Sequence, residues 1–235
     1  MAIARRHGLK VIEDAAEQIG QSYRDSMGAE HPIGSFGDVA TLSFYPNKHV
    51  TTGEGGMVLT SDDHLAERCR LLRNLAFGPR RFVHEELGWN FRMSNLQAAI
   101  GVAQMERLEE TVERKRMIGR GYDDLLGGIG GFAVQPPRTA YAENIYWVYG
   151  LVLDDEVGFD AAEAMKRLGA LGIGTRPFFW PMHEQPVFHS MGLFEGVSCP
   201  VSERIARRGF YVPSGLALSR EQAEQVAGAV RQVLS

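Results

Sequence analysis

Asp14 and Lys48 are the residues whose type and placement best suit chemistry. Asp14 directly follows the apolar run LKVIE, residues 9–13, and Lys48 closely follows VATLSFY, residues 39–45. Both runs read as strands, and ligands of α/β sheets gather at the carboxyl ends of strands, so an acid and an amine there face one crevice. Each residue alone also has an ordinary reading: Asp14 as the cap of the following turn, Lys48 as one more solvated lysine. Other chemistries are less well supported. The seven histidines show no paired ligand spacing, and His183 with His189 is a weak pair. The segment GEGGMV has valine where a third glycine of a dinucleotide fingerprint belongs, so it reads as a tight turn beside a strand.

The elements that must carry these residues alternate along the chain. Residues 9–13 and 39–45 are expected as central, buried strands of a parallel sheet, separated by polar turn residues over 22–37. A short strand over 57–60 follows the glycines, and Asp62 or Asp63 caps a helix marked by Leu65, Cys69, Leu72 and Ala76. Ser94 caps a long helix, with a kink allowed, running to Leu126 and burying Leu96, Ile100, Ala103, Leu108 and Val112. Beyond it come a strand over 145–153, a helix capped by Asp160 and ended by Gly172, and a strand over 173–176. A last helix starts at Ser219, with Gln222 completing the cap and Ala223, Val226, Val230 and Val233 facing inward. The fold class is α/β: a mostly parallel sheet flanked by helices over residues 1–112, and a smaller α/β domain over 113–235. Few residues precede the first strand, so the chain is expected to begin inside a βα unit, as in an N-terminally truncated reading frame, whereas its final helix reads as a complete end.

The composition is that of a globular protein: 235 residues, 44% hydrophobic and 23% charged. With 25 basic and 29 acidic residues the net charge is −4, which argues against nucleic acid as a partner. No apolar run approaches the length of a membrane span, and two distant cysteines suit a reducing, cytoplasmic setting.

Three long motifs, VIEDAAEQIG, GSFGDVATLSFYPNKHVTTGEGGMVLT and GWNFRMSNLQAAIG, stand in this order and resemble those of the DegT/DnrJ/StrS sugar-nucleotide aminotransferases, a family dependent on pyridoxal phosphate. The later IYWVYGLVL and RPFFWPMH are similar to its small domain, and within the family the chain looks most like enzymes of 4-amino sugars. The resemblance implies a large domain of aspartate-aminotransferase type. It also implies transfer of an amino group, from glutamate, to a nucleotide-linked keto-deoxy sugar in polysaccharide or O-antigen biosynthesis.

Matched residue by residue, Lys48 is the lysine that forms a Schiff base with the cofactor and then shuttles protons, which requires an amine easier to deprotonate than free lysine. Asp14 is the carboxylate that keeps the pyridine nitrogen protonated. Glu17 stands where many relatives carry His or Gln near the phenolic oxygen. Ser43 and Asn90 match phosphate-binding residues, Asn90 from the neighbouring subunit, so the resemblance implies a homodimer with a shared site. Arg176, Phe179 and His183 resemble a loop near the sugar nucleotide, and equally an aromatic packing loop. Asn144 departs from the family's usual His. The match begins partway into the large domain, so the aromatic that stacks on the pyridine has no counterpart. Two alternatives stand beside aminotransfer: a family dehydratase, against which Lys48 argues because the dehydratases carry His there, and a non-catalytic fragment.

Overall fold

The computed structural model describes residues 1–80 and 82–234 and divides the chain into two compact units. One comprises Met1–Glu113 with Arg138–Trp147, and the other Arg114–Pro137 with Val148–Ser235. The expected division near residue 112 assigned 138–147 to the second domain, whereas this segment packs with the first.

The first unit contains α1 (Ala2–His7), β1 (Ile12–Asp14), β2 (Ser22–Arg24), β3 (Glu30–Pro32), β4 (Val39–Ser43), β5 (Gly56–Leu59), α2 (Asp63–Arg73), α3 (Asn95–Met105) and the first turns of α4 (Leu108–Leu126). Its main sheet has the order β1-β4-β5, with β1 parallel to β4 and β4 antiparallel to β5. Side chains fix the β1–β4 register from both ends. The Glu13 carboxylate accepts from the N–H groups of Gly34, Phe36 and Gly37 at 2.7, 3.0 and 3.4 Å. Asp38 accepts from the Val11 N–H at 2.8 Å and pairs with Lys10 at 2.9 Å. Between these anchors Gly37 passes so close to both strands that a Cβ would lie 2.8 Å from the carbonyl oxygens of Val11 and Val39, which restricts the position to glycine.

The second unit holds the rest of α4, β6 (Phe132–Val134), β7 (Tyr149–Leu153), α5 (Ala161–Ala170), β8 (Arg176–Pro177), α6 (Pro186–Ser190), α7 (Pro200–Arg208), β9 (Gly209–Val212) and α8 (Arg220–Leu234). Its sheet, ordered β6-β7-β9-β8, is antiparallel throughout. Leu151, Leu153, Leu168, Phe210, Val212, Val226 and Val230 are buried and form its core. Within this unit α4 holds the backbone of 213–218: Tyr122 donates to the Pro213 carbonyl at 2.7 Å, Lys115 to Ser214 at 2.5 Å, and Arg114 to Leu218 at 2.6 Å.

Several sequence expectations are corrected. The first strand is shorter than 9–13, because the Val11 N–H is taken by Asp38, and it lies at an edge of its sheet with Ile12 74% exposed. The polar stretch 22–37 contains the β2–β3 hairpin, closed by Asp25 accepting from the N–H groups of Met27 and Ala29. The strand expected over 145–153 starts at Tyr149, since Tyr146 has a φ of +50° that no strand tolerates. The helix after Ser94 is interrupted between Met105 and Leu108; Leu108 and Val112 pack inward as expected, whereas on α3 the face expected to be buried is inverted. Leu96, Ile100 and Ala103 are exposed, while Gln97 donates to the Glu54 carbonyl at 3.0 Å and Gln104 accepts from the Thr51 N–H at 2.8 Å. Polar side chains turn inward there because the loop they pack on offers backbone donors and acceptors that must be satisfied. The caps stand as expected: Asp62 on α2, Ser94 with Gln97 on α3, Asp160 on α5, and Ser219 with Gln222 on α8.

Candidate functional site

Asp14, Glu17, Ser43 and Lys48 all follow from the parallel β1–β4 pair. Asp14 ends β1 opposite Thr41, two residues before Ser43 ends β4. The chain leaving β1 turns at once, with Asp14 accepting from the Ala16 N–H at 3.1 Å, so Glu17 returns toward the turn that follows β4. That turn closes through the Lys48 N–H to the Tyr45 carbonyl at 3.0 Å, and it is anchored below by buried His49, whose Nε2 lies 2.6 Å from the Ile19 carbonyl. Phe44 and Val50 on either side are buried with Ile19.

The side chain of Lys48 is only 8% exposed, and its Nζ donates to the Glu17 carboxylate at 3.0 Å. The structure thus brings Lys48 and Glu17 into direct contact, the relation that the sequence alone left open. Ser43 accepts from the Tyr45 N–H at 3.3 Å, which leaves its hydroxyl proton to donate elsewhere. Asp14 is exposed. Asn90 belongs to a different part of the unit. Its backbone bridges to Asn74, and Arg92 spans both, donating to Asn90 Oδ1 at 2.8 Å and to Asn74 Oδ1 at 2.7 Å. This clamp engages the amide oxygen of Asn90, so its NH₂ group is not used in this contact.

Trp147 is the site residue that sequence reasoning missed. Its ring lies over the Lys48 ammonium with Nζ 4.1 Å from the centroid. A signal was present in the aromatic run NIYWVYG, but the pairing spans about a hundred positions and depends on the turn at Tyr146. Asn144 has a local structural part there, with its Oδ1 accepting from the Tyr146 N–H at 2.7 Å.

In the second unit His183 is buried and hydrogen-bonded with Glu203 at 3.0 Å. Glu203 also accepts from the N–H of Cys199, which with His183 holds its carboxyl below the ordinary range. His183, Glu184 and Glu203 form a cluster whose possible ligand atoms lie within 4.8 Å, a grouping that residue spacing did not reveal. Arg207 donates to Glu184 at 2.7 Å, and the cluster fastens the turn at 182–184 to α7. Phe179 is 70% exposed, and Arg176 lies in β8 opposite Tyr211.

Residues 1–231 match the family model described as the DegT/DnrJ/EryC1/StrS aminotransferase family. The chain is 37% identical over its whole length to a GDP-perosamine synthase of Caulobacter vibrioides, covering 61% of that protein, and 34% identical over 96% of its length to one of Vibrio cholerae, covering 59%. It therefore spans about three fifths of the length of these curated relatives. Among solved structures, the aminotransferase TlmJ of Streptoalloteichus hindustanus superposes with a TM-score of 0.86 at 30% identity, over 99% of this chain and 60% of that one. Helicobacter pylori PseC shares the fold, with a TM-score of 0.89 at 20% identity, over 99% of this chain and 62% of that one. The chain belongs to the DegT/DnrJ/EryC1/StrS aminotransferase family.

Proposed function

We propose that this chain carries the lysine-bearing part of a pyridoxal-phosphate-dependent aminotransferase that moves an amino group from glutamate to a nucleotide-linked keto-deoxy sugar, for amino-sugar and polysaccharide biosynthesis. The observation that carries the reading is Lys48, nearly buried after β4 and held against Glu17. The residues present suit the cofactor: an amine shielded from water, a carboxylate at a neighbouring strand end, and a hydroxyl with its proton available for a phosphate oxygen. When bound, pyridoxal phosphate supplies an aldehyde that condenses with an amine, losing water, and a ring that accepts electrons.

Lys48 is the residue that would hold the cofactor through its amine, and that amine would also serve as the base that moves the substrate proton. Asp14 supplies the negative charge that keeps the ring nitrogen protonated. Ser43 donates to the phosphate. Asn90, its amide oxygen held by Arg92, donates from its NH₂ group to the phosphate of a neighbouring subunit, so the working form is a homodimer. The exposed apolar residues Leu87, Trp89, Phe91, Leu96, Ile100 and Val102 support that dimer, because a stable monomer seldom leaves such a group in water. Both cysteines are free, in keeping with a cytoplasmic enzyme, and among the described residues no helix is long and apolar enough to cross a membrane.

The test is to add pyridoxal phosphate to the purified chain, follow visible absorption, reduce with borohydride and locate the adduct by mass spectrometry. A stable adduct on Lys48, prevented by prior incubation with glutamate, is expected. An adduct spread over Lys10 and Lys166 with none on Lys48 overturns the reading.

A further inference from the structure

An ammonium with little access to water needs compensation, and Lys48 receives it from two directions. Glu17 provides a charge-assisted hydrogen bond at 3.0 Å from a side chain that is itself 41% exposed. The Trp147 ring provides its electron-rich face at 4.1 Å. The ring is aimed, not merely near. Its Nε1–H donates to the carbonyl of Asn47, the residue before Lys48, at 3.1 Å. The indole is thus tied to the same turn that presents the amine, and its face follows the lysine if that turn shifts.

The backbone on the other side is equally specified. Tyr146, 2% exposed, has a φ of +50°, uncommon for an aromatic residue, and the Asn144 side chain accepts from its N–H at 2.7 Å. The segment also returns to the first unit immediately before β7 begins. Among the described residues Glu17 is the charged group paired with Lys48; of the other titratable side chains of this turn, Tyr45 is exposed and His49 is engaged with the Ile19 carbonyl.

We propose that Trp147 is a positioning residue for Lys48: its ring face, clamped by the Asn47 carbonyl, holds the amine against Glu17 in the place from which it reacts. This rests on the reading of Lys48 as the Schiff-base lysine. The ring neither gives nor takes a proton. It stabilises the charged amine and fixes where that amine sits, while Glu17 is the carboxylate within reach of its proton.

The experiment measures the pH dependence of Lys48 acetylation by acetic anhydride, read by mass spectrometry in the chain without cofactor, with exposed Lys10 and Lys166 as internal references. Replacing Trp147 by Leu keeps apolar bulk but removes the ring face, so the Lys48 midpoint should fall by about one pH unit while the references stay in place. Trp147→Phe keeps a face and should restore most of the wild-type midpoint. If the Leu variant does not fold by circular dichroism, Trp147→Met serves in its place. An unmoved midpoint, or an equal shift with Phe and with Leu, overturns the proposal. Failure of the Lys48 reading shows separately, as absence of a pyridoxal-phosphate adduct on Lys48 in the unaltered chain.

Discussion

The ammonium of Lys115 donates to the Ser214 carbonyl at 2.5 Å from a position only 4% exposed. Burial lowers its pKa from 10.5 to about 8. Below pH 8 both folded and unfolded chains carry the proton and the folded chain bears the full cost of the buried charge. Between pH 8 and 10.5 the unfolded chain binds more protons, so stability rises with pH. From pH 7.5 to 9.5 this contribution amounts to about 2 kcal/mol. The urea midpoint of the wild type should rise over that interval relative to Lys115→Met. Parallel profiles would contradict a buried titrating lysine. Above pH 10 the buried Tyr122 phenol, whose pKa is pushed up, acts in the opposite sense, because the unfolded chain ionises first.

Glu13 stabilises the 34–37 loop through three backbone donors. Glu13→Ala leaves those N–H groups without their acceptor and should cost about 2–3 kcal/mol in denaturant unfolding. Amide exchange of Gly34 and Phe36 should quicken at the same time. Glu13→Gln, which retains one acceptor oxygen, should fall between the two, and a fully stable alanine variant would show that the loop is held by other contacts.

Asp14 lies on the strand but outside the Lys48–Glu17 contact. Asp14→Asn should leave the borohydride-trapped bond at Lys48 intact while slowing amino transfer about 10²–10³-fold, because the negative charge acts on the ring and not on the lysine. Loss of the adduct itself would show that Asp14 is needed to retain the cofactor and not only to charge its ring.

Leu96 is 81% exposed on the outward face of α3. Leu96→Glu should weaken self-association about tenfold or more in sedimentation experiments, since an uncompensated charge would be buried in the proposed interface. An unchanged dimer would place the interface elsewhere.

What could be read from the sequence was what is decided locally. Ser94, Ser219, Asp62 and Asp160 cap their helices because a cap and its N–H partners lie within three residues. Asp14 and Lys48 were legible as strand-end residues for the same reason. The face of α3 was not, because periodicity marks an apolar stripe without saying whether the protein's own core or another surface covers it. The loop at 51–54 claimed the glutamine face instead. Trp147 was hidden by a different cause: an unbroken apolar run from Ile145 conceals the positive φ at Tyr146, and no pattern in such a run announces contact with a residue about a hundred positions earlier.

The return of Arg138–Trp147 to the first unit means that the chain passes between units three times, at 113/114, 137/138 and 147/148. No single crossover between two related genes can therefore exchange one unit whole. A chimera joined near residue 113 would take its lysine from one parent and the tryptophan that covers it from the other, so the pair must be inherited as matched pieces of distant sequence. Hybrid enzymes built from this family should accordingly be joined after residue 147 when the lysine site is to be kept intact, with the parent of the first unit supplying everything up to that point.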